Sequence, residues 1–95
     1  MLLRFDGEIW HWRGPAPYHF VTVPPAEAAQ IAEVAPMVTY GWGMIPAAVT
    51  IGATRVTTAL WPKDGAYVVP IKKALQDAEQ LGVDDVVTVV LEIDA

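Results

Sequence analysis

Cysteine, serine and asparagine are absent from this 95-residue chain, and the first two absences close off chemistry. Without cysteine there is no disulfide framework, no thiolate metal site and no thiol nucleophile. Without serine there is no Ser–His–Asp arrangement. Charge is scarce as well. Charged residues make up 18% of the chain and hydrophobic residues 54%, a composition that builds a core and not a disordered tail. Bases are outnumbered, six against eleven acids, for a net charge of −5. Nucleic-acid binders carry a clustered basic face. Here Lys72-Lys73 is the one basic pair and acids crowd the C-terminal third, so DNA or RNA binding is disfavoured. No apolar run approaches the roughly 18 residues that span a bilayer. The segment from Met1 to Asp6 also lacks the basic region and apolar stretch of a signal peptide. The expectation is a cytoplasmic protein without membrane association, built as one domain over residues 1–95.

What is present is mostly strand. Leu3, Phe5, Ile9 and His11 alternate with Arg4, Asp6, Glu8, Trp10 and Trp12, a period of two that predicts a strand over residues 2–12. Aromatic bulk falls on both faces at Trp10-His11-Trp12, which calls for a bulge or for cover from another element. Gly14-Pro15-Ala16-Pro17 reads as a turn, and Tyr18 to Val23 as a second strand. Pro24-Pro25 opens a helix that Pro36 closes, with Ile31 its one large anchor. Gly41-Trp42-Gly43 is a loop. Residues 47–52 and 54–61 form a hairpin turning at Gly52-Ala53. Pro62-Lys63-Asp64-Gly65 has turn chemistry, and a short strand runs from Ala66 to Val69. Pro70 opens a second helix with Ile71, Ala74, Leu75 and Ala78 on one face and Gly82 as its cap. Val86 to Ile93 is a last strand, apolar enough on both sides to predict cover on both.

An internal echo links Phe20–Pro24 and its helix to Ala66–Pro70 and its helix, which suggests a pseudo-symmetric arrangement with one helix over each open end. Open edges on so apolar a sheet invite aggregation, so closure is expected. The predicted fold is mainly β: a small closed barrel of six or seven strands capped by two α-helices.

Several motifs together resemble a known family. Gly41-Trp42-Gly43-x-x-Pro46 is followed by Thr57-Thr58-Ala59-Leu60-Trp61-Pro62-Lys63-x-Gly65-x-Tyr67-x-x-Pro70-Ile71-Lys72-Lys73-Ala74, then by Ala78-Glu79. With Trp10 and Phe20-Val21-x-x-Pro24 upstream, this pattern resembles the bacterial domain-of-unknown-function family 1905. The resemblance implies a double-split β-barrel, the architecture also found in transition-state-regulator and antitoxin DNA-binding domains. Some relatives are fused to a bacteriocin-protection (OmpD-associated) domain. It implies no activity, substrate or cofactor. The chain departs from the family pattern at Thr58, where Ser is usual, and at Asp84-Asp85, where Gly-Asp is usual. A basic residue usual in the second helix is also replaced, with Asp77 nearby.

Candidate chemistry is thin. His11 and His19 fall on neighbouring predicted strands without a third ligand, so no metal is expected. Asp84-Asp85, Asp77 and Glu79 read as solvated charge, because adjacent carboxylates on a turn point apart. Lys72-Lys73 reads as two exposed lysines. No Gly-rich phosphate cradle is present, and no cofactor is expected. The feature above background is aromatic: four tryptophans, with Arg55 and Lys63 close in sequence to Trp61. Indole rings can stack on a planar ligand or anchor a partner, and a guanidinium beside them can hold an anion. The alternative is that these rings plug the ends of a small barrel. The expected function is a non-catalytic module binding a small molecule or a partner protein at a rim formed by Trp10, Trp42, Arg55, Thr57, Trp61 and Lys63. A nucleic-acid module, by fold analogy, is the first alternative. An enzyme using Lys63, Arg55 or His19 with Thr57 or Thr58 is the second, although no adjacent base activates either hydroxyl. A homodimer formed by hairpin exchange is compatible with the architecture.

Overall fold

Alternation of Leu3, Phe5 and Ile9 with polar neighbours turns one side of the first strand inward, and the other strands repeat that logic. A computed structural model describes residues 1–14 and 18–95. In chain order the elements are β1 (Leu2–Trp12), β2 (Tyr18–Thr22), α1 (Pro25–Val38), β3 (Ile45–Ile51), β4 (Thr54–Lys63), β5 (Ala66–Pro70), α2 (Lys73–Glu79) and β6 (Val86–Glu92). The six strands close into one barrel in the order β1-β2-β5-β4-β3-β6, every pair antiparallel. Mainly-β architecture, closure and the two helices therefore agree with expectation. Of the predicted Gly14–Pro17 turn, residues 15–17 lie outside the described residues.

The core is a set of inward rows running from strand to strand. Leu3 pairs with Leu91, Leu91 with Val49, and Val49 with Val56, crossing β1, β6, β3 and β4. Ile9, Val21 and Val69 form the matching row across β1, β2 and β5. All of these but Val56 are buried. Among the described residues no polar or charged side chain is buried. The echo is also consistent with the register. Matching Phe20 to Ala66 and Pro24 to Pro70 maps the Thr22–Val68 pair onto itself, as a local two-fold axis would.

The structure corrects several local expectations. No bulge interrupts Trp10–Trp12; β1 changes partner instead, pairing with β6 from Leu2 to Glu8 and with β2 from Ile9 to Trp12. Pro36 does not end α1, which runs on to Val38. The amide that Pro36 lacks would have met the Ala32 carbonyl one turn back; both residues are exposed, so water can serve that oxygen. Pro70 does not open α2. It is the last residue of β5, paired with Phe20, and the Ile71 amide donates to the His19 carbonyl at 2.8 Å before the helix begins at Lys73. That late start leaves Leu75 as the buried residue of α2, with Ala74 and Ala78 exposed. Gly82 is not the cap either. Gln80 takes the left-handed conformation, and Gly82 donates its amide to Asp85 Oδ2 at 2.8 Å. Pro62 stays in β4, opposite Tyr67, and the turn is the two residues Asp64-Gly65, both with positive φ as a type I′ hairpin requires. β6 is covered on one face alone: α1 packs on β3 and β5 and α2 on β4, so Val86 is left 70% exposed.

Asp84 has φ 76°, in the left-handed region. Its backbone is held there because the Asp84 amide donates to the Ile9 carbonyl at 2.8 Å and the Ile9 amide donates to the Asp85 carbonyl at 2.9 Å. An L-residue other than glycine pays a steric cost in that region. Asp84→Gly is therefore expected to stabilise the fold by about 0.5–1 kcal/mol, after allowing for the greater freedom of glycine in the unfolded chain. Chemical denaturation of the two proteins checks this, and an unchanged or lower midpoint refutes it.

Candidate functional site

Outward positions of β1, β2, β5 and β4 build an aromatic cluster by the same alternation that builds the core. Ile9 and Val21 face in, so the next cross-strand pair, Trp10 and Phe20, faces out, followed by Trp12 and Tyr18 on the same side. Trp61 joins from β4 through its pairing with Val68. Ring centroids of Phe20 lie 5.2 Å from Trp10, 5.9 Å from Tyr18 and 5.1 Å from Trp61. Trp61 meets Tyr18 edge-on at 5.2 Å, and Trp12 stacks on Tyr18 at 6.1 Å. These separations are the preferred tilted and offset arrangements of aromatic rings. The Trp10 indole N–H donates to Thr22 Oγ1 at 2.9 Å, which fixes that ring's orientation. Phe20 is thereby only 2% exposed although it points away from the barrel interior. Trp10, Trp12 and Trp61 thus stand on the outer face of the strands and not in the barrel interior.

Trp61 stands between two depressions. A small cleft of about 260 Å³ is lined by Trp10, Trp12, Phe20, Trp61 and Lys63 with their neighbours. On the other side a groove of about 780 Å³ runs between the strands and the start of α2. Tyr18, Tyr40 and Trp61 supply its rings, Pro70 and Ile71 further apolar surface, and His19, Thr58, Lys72, Lys73 and Gln76 its polar groups. Several of these side chains are held in place. Lys72 Nζ donates to the Thr57 carbonyl at 2.6 Å, and Gln76 Nε2 donates to the Ile71 carbonyl at 2.7 Å. Lys73 makes an exposed i,i+4 ion pair with Asp77 at 3.2 Å.

The six residues expected to share a rim divide into three places. Trp10, Trp61 and Lys63 come together at the small cleft, with Lys63 3.6 Å from Asp64. Arg55 and Thr57 line a second depression of about 610 Å³ with Met1, Pro46 and Glu92, which adjoins the groove at Thr58; there Arg55 Nε donates to Glu92 at 2.9 Å. They share the outer face of β4 with Trp61, but six residues of extended strand put Arg55 roughly 20 Å from it. Trp42 stands apart again, 96% exposed on a loop where Gly41, Trp42 and Gly43 all have positive φ. Sequence reasoning missed Tyr18, His19, Tyr40, Gln76 and the two lysines as partners of Trp61. Parity across the β1–β2 pair was the available signal for Tyr18. Nothing local pointed to Tyr40 or Gln76, which reach the groove only through the tertiary fold. His11 and His19 do pair, with rings 5.3 Å apart. Among the described residues no group of three or more His, Asp or Glu side chains is placed to hold a metal. No helix among them is long and apolar enough to cross a membrane.

A closed antiparallel barrel of six strands, carrying two helices and an aromatic cluster on its flank, defines a small β-barrel domain. The chain belongs to the family described as Domain of unknown function (DUF1905), which matches residues 5–91, as the motifs implied. No curated protein matches the chain by sequence.

Proposed function

We propose that the protein is a non-catalytic binding module whose seat for a small molecule is the groove between Trp61 and the start of α2. The observation that carries this reading is the combination of size and lining. At about 780 Å³ the groove falls in the range of drug-sized ligand sites, and its walls are mostly aromatic and apolar with a few oriented polar groups. Absence of catalysis is supported by the surroundings of the polar groups. Among the described residues no ionisable side chain is buried, and Lys63, Arg55 and Lys73 each face a carboxylate at the surface. The net charge of −5 weighs against the nucleic-acid alternative. Ligand screening by NMR, read at the tryptophan indole N–H and the backbone amides, tests the proposal. Binding should move the Trp61 indole and the amides of Ile71 to Lys73 while leaving those of Arg55 and Glu92 in place. A screen of varied small molecules that moves none of them refutes it.

A further inference from the structure

We infer that the groove takes a flat aromatic ligand bearing one anionic group, with the ring against Trp61 and Tyr18 and the charge at Lys72 and Lys73. This deepens the binding reading and rests on it. The chain holds eleven acids and six bases, yet the described residues lining the groove include two of those bases and none of the acids. In a protein of net charge −5 that local inversion favours an anion at this site over the rest of the surface. Lys72 is already positioned, since one of its three ammonium protons is committed to the Thr57 carbonyl at 2.6 Å and two remain to donate. Lys73 is tied to Asp77 by an exposed ion pair, a weak interaction that a ligand carboxylate, sulfonate or phosphate can replace. Aromatic selectivity comes from the edge-on Tyr18–Trp61 pair, which offers an adjoining ring face and ring edge to a planar guest.

Three probes separate the parts of this inference: 2-naphthoate, its uncharged isostere 2-naphthamide, and the non-aromatic anion cyclohexanecarboxylate. Each is titrated into the protein with tryptophan fluorescence and amide shifts as readouts. 2-Naphthoate is expected to bind about tenfold more tightly than either of the others, and to weaken as salt rises. Lys72→Met with Lys73→Met should bring the ratio of 2-naphthoate to 2-naphthamide affinity from about ten down to about one and abolish its salt dependence, because both ammonium groups line the groove. Trp61→Leu, checked for folding by circular dichroism, should weaken both naphthalene probes. Equal affinity for 2-naphthoate and 2-naphthamide overturns the anionic inference and leaves the binding module standing. Equal affinity for 2-naphthoate and cyclohexanecarboxylate overturns the aromatic half in the same way. If no probe binds at millimolar concentration, the inference falls, and the screen of varied small molecules decides the binding module separately.

Discussion

Replacing Phe20 by alanine is expected to lower the unfolding free energy by about 3–5 kcal/mol, as large as the loss from a true core position. On a purely local view this is surprising, since Phe20 lies on the outer face of β2. Its ring is nevertheless 2% exposed, enclosed by Trp10, Tyr18 and Trp61 at centroid distances of 5.2, 5.9 and 5.1 Å. The substitution removes three ring–ring contacts, each worth about 0.5–1.5 kcal/mol beyond area burial, and opens a void beneath the tryptophans. Urea denaturation measures the loss. Emission from Trp10 and Trp61 should also shift to the red, because water reaches rings that Phe20 had covered. A loss below about 1 kcal/mol, as for an ordinary surface residue, would show that the cluster is decoration and not a second small core.

Leu91→Ala is expected to cost about 2–5 kcal/mol, the range for truncating a fully enclosed leucine. Leu91 is the shared member of the inward row, facing Leu3 on β1 and Val49 on β3, and is wholly inaccessible to solvent. A closed barrel has few ways to collapse into the resulting void, because its strands are tied on both sides. Total stabilities of small domains are about 5–15 kcal/mol, so this one change removes a large share. Leu91→Met, which nearly conserves volume, should cost less than about 1.5 kcal/mol. If the alanine variant costs no more than the methionine variant, the row is not the centre of the core. Double substitution with Phe20→Ala should be close to additive, since the two residues belong to clusters on opposite sides of the strand layer.

Much of the fold was legible because strand alternation is a local property. The inward set Leu3, Phe5, Ile9, Val87, Val89 and Leu91 follows from period two alone, and all six are buried. The two-residue turn at Gly52-Ala53 followed from glycine's access to positive φ, which Gly52 takes at 60°. Helix ends were less legible. Proline reads as an opener, but Pro70 pairs in β5 and Pro36 lies within α1, because tertiary pairing and solvent access outrank local preference. The candidate site was the least legible part. Arg55 and Trp61 are close in sequence and share a strand face, yet extended backbone carries them to different depressions. Tyr40, Trp61 and Lys72 are far apart in sequence and meet at one groove.

By itself the amino-acid order determined the inward side of β1, the turn at Gly52-Ala53, and that so apolar a sheet had to close. Trp10, Trp12 and Trp61 were assigned to outward positions by the same rule. Only the closed barrel decided that β2 lies between β1 and β5 and that β4 follows, which brings those three rings around Phe20 and stations two lysines of α2 and its approach beside Trp61. The reason is physical: alternation sets the direction of a side chain relative to its own strand, whereas neighbourhood across strands depends on order and register. Those are selected by burial summed over the whole barrel.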